Sequence, residues 1–370
     1  MSLSIGIVGL PNVGKSTLFN ALTRKCVPAE NYPFCTIDPS VGIVSVPDER
    51  LEKLSLFSHT QKTIPAVVEF VDIAGLVEGA SKGEGLGNKF LAHIREVDAI
   101  LHMVRIFDIQ DESGTEQTHL YGSIDPLRDI KVINMELILA DMETVQNRRE
   151  KILRDVKRGD KQAIFEDAVC AKMYDWLSSE KLAQYFKLSE EELVVIKTLH
   201  LLTMKPVMYG LNKKSGGKNL DESDPSTFQK ILEEIEKYSA EYVVIDAKTQ
   251  EDLSEFSKDE KELFTAELDS HDDGIDELIQ KAYKLLGLIT YFTTGEKETR
   301  AWTIKRDSTA PVAGSAIHSD FLTKFIRADI IGWQELLDAG SFGEARAKGL
   351  LRTEGKDYVV KDGDVIEFRI

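Results

Sequence analysis

Gly9-Leu10-Pro11-Asn12-Val13-Gly14-Lys15-Ser16 has the G-x-x-x-x-G-K-[ST] spacing of a phosphate loop. Its chemistry lies mostly in the backbone. The glycines let the loop curl until successive N–H groups point at phosphate oxygens, and a following helix adds the positive end of its dipole. Lys15 is expected to reach the β- and γ-phosphates and the Ser16 hydroxyl to ligate Mg²⁺. Asn12, Val13, Gly14, Lys15, Ser16 and Thr17 are therefore the expected nucleotide contacts.

A phosphate-loop enzyme also needs an acid at a strand end to hold the metal. Asp72-Ile73-Ala74-Gly75 follows the apolar run Val67-Val68-Glu69-Phe70-Val71 and supplies one. Asp72 is the expected metal partner, acting through water, and Gly75 lets a backbone N–H approach the γ-phosphate. Alone, a D-x-x-G is more often a strand-end turn; beside a phosphate loop it becomes informative. Between the two motifs, Asn31-Tyr32-Pro33-Phe34-Cys35-Thr36 offers Thr36 as a second hydroxyl for Mg²⁺, although a lone threonine is usually structural.

These residues must be held by a scaffold, and the chain reads as one. Ile5–Gly9, Val67–Ile73, Ala99–Phe107, Val207–Leu211 and Tyr242–Ile245 are short apolar runs with helical patterns between several of them, which predicts an α/β fold with a parallel sheet covered on both faces. From about Asp129 to Thr203 apolar residues recur at helical spacing (Ile130, Ile133, Leu137, Ala140) without a proline. This predicts a helical insertion, a hairpin of two long helices. Beyond the helical run Ile275–Leu286 the character changes to short β runs: Thr290–Thr293, Ala301–Ile304, Tyr358–Val360 and Val365–Arg369. Lys213–Ser226 reads as a loop.

Composition narrows the partners. The 370 residues carry 42% hydrophobic and 29% charged side chains and a net charge of −17, which excludes a polybasic protein that coats nucleic acid by bulk charge. A local basic face is still allowed. Residues 148–161 hold Arg148, Arg149, Lys151, Arg154, Lys157, Arg158 and Lys161 against three acids, with Gly159-Asp160 as the turn of the helical hairpin. Two readings stand: an RNA-phosphate contact at the tip, or a solvated face with ion pairs. The three cysteines, Cys26, Cys35 and Cys170, suggest neither a disulfide framework nor a zinc site. With no apolar stretch of about 20 residues and no basic leader, a cytoplasmic protein without membrane contact is expected.

Gly9–Thr17, Asn31–Thr36, Asp72-Ile73-Ala74-Gly75-Leu76-Val77 and Gly83-Glu84-Gly85-Leu86-Gly87-Asn88-Lys89-Phe90 together resemble the YchF-type Obg-like ATPases, a group of translation-factor P-loop NTPases. Leu202-Thr203-Met204-Lys205-Pro206-Val207, Gly287–Ile304 and Glu354–Val360 extend the resemblance to nearly the whole chain. It implies a Ras-like G domain formed by residues 1–128 and 204–286. It also implies an α-helical coiled-coil insertion at 129–203 and a C-terminal α+β TGS (ubiquitin-like) domain at 287–370. The function implied is ATP hydrolysis in preference to GTP, with Mg²⁺, by a switch that works on the ribosome, with the large subunit as the expected site. RNA contact is expected through the helical tip or the TGS domain.

In related GTPases an N-K-x-D motif reads guanine through its carboxylate. The stretch here is Asn212-Lys213-Lys214-Ser215, so Asn212 and Lys213 are expected base-side contacts while a hydroxyl replaces the acid. YchF-type proteins usually carry Glu at that position. A hydroxyl cannot accept the bidentate pair that a carboxylate accepts, so guanine selection is expected to be weak. Asp246-Ala247-Lys248 likewise stands where G proteins tend to have Ser-Ala-Lys. After Gly75 comes Leu76, where many such enzymes place a water-orienting Gln, and an aliphatic side chain cannot hold water. His119, in Thr118-His119-Leu120-Tyr121-Gly122, is the candidate to orient it, with a plain loop residue as the alternative; His93 and His102 fall on an apolar helix and strand. Gly79 and Gly83–Gly87 predict a loop that changes conformation with the γ-phosphate, against an ordinary surface loop. Three function classes remain open: a switch ATPase, a nucleotide-gated RNA- or ribosome-binding module whose hydrolysis is incidental, and a conventional GTPase.

Overall fold

A computed structural model describes residues 3–24, 40–73, 86–108, 124–253, 256 and 274–370. The chain divides into two compact units: the described parts of 1–24, 37–42 and 70–275, and the described parts of 43–69 and 276–370.

The first unit is built on the strands β1 (Ser4–Val8), β2 (Val41–Ser45), β3 (Val67–Asp72), β4 (Ala99–Arg105), β5 (Val207–Asn212) and β6 (Tyr242–Ile245), in the sheet order β2-β3-β1-β4-β5-β6. Of β2 and β3 this unit holds Val41–Gly42 and Phe70–Asp72. Strands β1, β4, β5 and β6 are parallel, with Ile5 opposite Ala99, Ile100 opposite Val207 and Tyr209 opposite Tyr242. All seven residues of β4 are buried, as a continuous apolar run in the middle of a sheet covered on both faces should be. Strand β4 stops at Arg105, short of the expected Phe107. The Ile106 N–H turns to the Asn212 carbonyl (2.9 Å), and Phe107–Asp108 pairs instead with Lys218–Asn219. The stretch 213–226 is accordingly more ordered than a loop: a helical turn spans Leu220–Ser223, and Asp224, capping the Thr227 N–H, starts a helix at Pro225. Asp-Pro is a cap followed by a first-turn proline, a start signal rather than a loop signal.

Helices α1 (Lys15–Thr23), α2 (Leu86–Glu96), α3 (Pro126–Lys157), α4 (Lys161–Ser178) and α5 (Ala247–Leu253) belong to the same unit. The 32-residue α3 begins three residues before the expected Asp129, because the Asp125 side chain caps the Arg128 N–H and Pro126 occupies the first turn. The chain reverses at Arg158-Gly159-Asp160, and the Asp160 carboxylate caps α4 through the Ala163 N–H (2.8 Å). Ile138 and Val145 of α3 bury against Val169, Cys170, Met173 and Leu177 of α4. Three of the tip's cations are spent internally: Arg148 pairs with Glu166, Arg149 Nε meets Asp167 Oδ1 at 2.8 Å, and Arg158 Nη1 meets Asp155 Oδ1 at 3.4 Å. Lys151, Arg154, Lys157 and Lys161 are exposed. At the base of the pair, the fully buried Asp141 accepts hydrogen bonds from Leu202 N (2.7 Å), Thr203 N (2.8 Å) and Thr203 Oγ1 (2.7 Å).

The second unit carries β7 (Leu288–Thr293), β8 (Thr299–Lys305), β9 (Arg327–Gly332), β10 (Arg352–Glu354) and β11 (Asp364–Arg369) in the order β10-β9-β11-β7-β8, extended by the short strand Thr63–Ile64 beside β8. Tyr291, Ile304, Ala313, Ile330 and Ile366 form its core, with Trp302 and Phe325 packed on it. Tyr358–Val360 is not a strand. Val359 makes one bridge to Thr309, and the partner segment turns helical at Ala310, so no ladder can grow. Arg50 ties the early segment to the late one, donating to Asp48 (Nη2, 2.7 Å) and Asp362 (Nη1, 2.7 Å). Among the described residues no helix is long and apolar enough to cross a membrane.

Candidate functional site

Strand β1 ends at Val8 and turns at once into the phosphate loop. A side chain at Gly9 would stand 2.5 Å from the Met103 carbonyl oxygen, so only glycine lets the loop leave the sheet this closely. Gly14 has φ +94°, and a Cβ there would fall 2.3 Å from Asn212 Nδ2. Helix α1 follows with Leu18 N on the Gly14 carbonyl (3.0 Å), and the N–H groups of Ser16 and Thr17 lie ahead of the intrahelical ladder. Lys15 is 8% exposed, and its ammonium donates to the Leu10 carbonyl at 2.6 Å, folded over its own loop. Ser16 Oγ lies 3.3 Å from Asp72 Oδ2 at the end of β3, and the Asp72 carboxylate is 5% exposed.

Behind the loop, His102 of β4 stands in register with Val8 and is buried. Burial, and then the positive charge of Lys15, push its pKa down to about 3, so the imidazole is neutral at ordinary pH.

Asn212 closes the site from the end of β5. Its Nδ2 donates to the Val13 carbonyl (2.9 Å), and its Oδ1 accepts from Ala247 N (3.0 Å) at the start of α5. Lys213 N bonds the Ile245 carbonyl (2.8 Å). The turn beyond is fixed by buried Asn219, which accepts from Lys214 N (2.9 Å) and donates to the Lys214 carbonyl (3.0 Å).

The structure thus gathers Asn12, Val13, Gly14, Lys15, Ser16, Thr17, Asp72, Asn212 and Lys213 at or just beyond the carboxyl ends of β1, β3 and β5. Strands β1 and β5 flank β4 in the parallel part of the sheet, and the carboxyl ends of parallel strands are where α/β sheets bind ligands. Thr36, Gly75, Leu76 and His119 lie outside the described residues. Among the described residues no group of three His, Cys, Asp or Glu could hold a metal ion. Ser16 with Asp72 is instead a pair of hard oxygen donors of the sort Mg²⁺ takes beside phosphate oxygens, and the buried carboxylate fits a divalent cation.

Residues 4–135 match the family model MMR_HSR1, a 50S ribosome-binding GTPase. Residues 288–370 match YchF-GTPase_C, described as a protein of unknown function (DUF933). Over 369 residues, all of this chain and 99% of the relative, the sequence is 50% identical to the ribosome-binding ATPase YchF of Bacillus subtilis. The chain belongs to the YchF family. The YchF of Escherichia coli O157:H7, also a ribosome-binding ATPase, is 45% identical over 368 residues, spanning all of this chain and 99% of that one. The YchF GTPase of Schizosaccharomyces pombe has a solved structure that superposes with a TM-score of 0.88 at 36% identity, covering 100% of this chain and 98% of that one. This YchF chain is therefore an α/β P-loop NTPase in fold.

Sequence reasoning passed over Asn219, Thr249 and the work of His102. Asn219 acts on the Lys214 backbone of its own turn, and Thr249 Oγ1 on the Ser215 hydroxyl of another loop, contacts that a linear pattern does not register. For His102, its place in the buried run next to the phosphate strand was the available signal.

Proposed function

We propose that this chain is an Mg²⁺-dependent ATPase that prefers ATP to GTP and works as a nucleotide switch on the ribosome; the names of its relatives, ribosome-binding ATPases, support the ATPase and ribosome parts of that reading. The observation that carries the reading is the phosphate loop braced through Asn212 and backed by a Ser16–Asp72 oxygen pair. Loop and helix N–H groups would cradle the phosphates, and Lys15 would leave the Leu10 carbonyl for the β- and γ-oxygens. Ser16, Asp72 and Thr36 would hold Mg²⁺, whose charge, when bound, offsets that gathering on the phosphate oxygens. Gly75 would offer its N–H to the γ-phosphate, and His119 would orient the attacking water. Leu76 cannot do so, and intrinsic turnover is accordingly expected to be slow until a partner completes the site.

For the ribosome, residues 287–370 would act as a TGS domain. The exposed Lys151, Arg154, Lys157 and Lys161 give the tip of the α3–α4 pair a cationic face suited to RNA phosphates, with the large subunit as the proposed site and the cytoplasm as the compartment. Two specific observations keep rivals in view. Leu76 favours a nucleotide-gated binding module, and the S. pombe relative's name favours GTP.

Single-turnover hydrolysis of ATP and GTP, with and without ribosomes, tests the proposal. Ribosome-stimulated cleavage of ATP ahead of GTP is expected. Nucleotide-dependent ribosome binding without stimulated cleavage would favour the binding module, and faster GTP cleavage the conventional GTPase.

A further inference from the structure

Two departures from the G-protein pattern meet in space. The sequence has Ser215 where N-K-x-D carries its acid, and Asp246 where Ser-Ala-Lys carries its hydroxyl. Acid and hydroxyl have traded places. In the fold the two residues are partners: Asp246 Oδ2 accepts from Ser215 N at 2.6 Å. The other oxygen, Oδ1, accepts from Thr249 N at 2.9 Å, so Asp246 also caps α5. Thr249 Oγ1 donates to Ser215 Oγ at 3.2 Å. Burial raises the pKa of the Asp246 carboxyl, but the hydrogen bonds from Thr249 and Ser215 outweigh it and hold the group below its ordinary value.

Asp246 is 9% exposed, and its two oxygens are committed to backbone N–H groups, one in the loop after β5 and one in the first turn of α5. Ser215 is exposed. The loops bearing them follow β5 and β6, and Asn212 and Ala247 join both to Val13 of the phosphate loop. A purine whose phosphates lie on residues 9–16 would therefore have these loops as walls.

We propose that Ser215 and Asp246 form an exchanged acid–hydroxyl pair that sets purine selection: Asp246 is the positioning residue, Ser215 faces the base, and guanine finds no free carboxylate. The proposal rests on the nucleotide reading given above. It requires the two positions to act together. An acid at 215 on its own would face the Asp246 carboxylate and be repelled, whereas an acid at 215 with a hydroxyl at 246 would be free to accept from guanine.

The test is titration of ATP and GTP against four full-length proteins: wild type, Ser215→Asp, Asp246→Ser and the double variant. The GTP-to-ATP affinity ratio is expected to rise about tenfold or more in the double variant only. Ser215→Asp should weaken both nucleotides with little change of ratio, an effect a purely structural cap would not confine to the pair. Should Asp246→Ser lower folding yield, Ser215→Asp with Asp246→Asn keeps an acceptor for the α5 cap, lifts the repulsion and should show the same rise. A wild-type ratio in both double variants, or an equal rise in Ser215→Asp alone, overturns the pair. Wild-type ATP affinity in Lys15→Ala would instead remove the phosphate-loop reading, and the pair with it.

Discussion

The Asn212 side chain holds Val13 in place: its Nδ2 donates to the Val13 carbonyl at 2.9 Å, while its Oδ1 accepts from Ala247 N at 3.0 Å. One buried carboxamide thus joins the phosphate loop to α5. Asn212→Ala would leave a carbonyl and an N–H short of their partner in a buried setting, at about 1–3 kcal/mol for each group. Thermal unfolding should shift down, and ATP affinity should fall about tenfold or more, because the loop loses its outer brace. Titration of the purified variant checks this, and unchanged affinity at a lowered melting temperature would confine Asn212 to stability.

Lys15 separates binding from folding. Its ammonium is held by the Leu10 carbonyl at 2.6 Å, inside its own loop. Lys15→Ala should lower ATP affinity about 100-fold, since a charge-assisted contact to two phosphates is lost, with only a small change in melting temperature. A fluorescent ATP analogue read alongside a melting curve distinguishes this from a folding defect.

How far the site could be read in advance depended on where its chemistry lies. The phosphate loop was legible because backbone cradling demands small residues at fixed spacing, and Gly9 and Gly14 are where a side chain would strike Met103 or Asn212. Asp72 followed from its place at a strand end. The contact of Asp246 with Ser215 was not legible. It joins residues far apart in sequence, and the parallel register of β5 on β6 brings them together. Thr63–Ile64 gave no signal either, since two residues carry no periodicity; they become a strand by lying beside Thr299 and Arg300. Tyr358–Val360 failed in the opposite sense, with strand-like residues whose partner segment turns into a helix.

Asp141 fixes the base of the α3–α4 pair. Its carboxylate is fully buried and receives three hydrogen bonds from Leu202 and Thr203. Asp141→Ala should cost about 3 kcal/mol or more, through two buried N–H groups and a hydroxyl left without their acceptor. Amide exchange at Leu202 and Thr203 should speed up well beyond that at Ile7 in β1. Equal acceleration at both places would mean that Asp141 supports the unit as a whole rather than the helical base.

His102 gives the protein an acid-sensitive element beneath its phosphate loop. Burial first, then Lys15, lowers its pKa from 6.5 to about 3 in the folded state. The unfolded chain therefore binds a proton below pH 6.5 that the folded chain refuses down to about pH 3. In that window the unfolded state holds more protons, so stability rises with pH and falls on acidification. The contribution is complete above pH 6.5 and declines steadily as pH drops toward 3. His102→Asn, which carries no titrating ring, should start from a lower melting temperature at neutral pH because volume is lost beside Tyr209. It should then show a shallower decline between pH 6.5 and 4 than the wild type. Parallel melting curves across that range would show that the imidazole is not the group that titrates, and that other groups govern the acid limb.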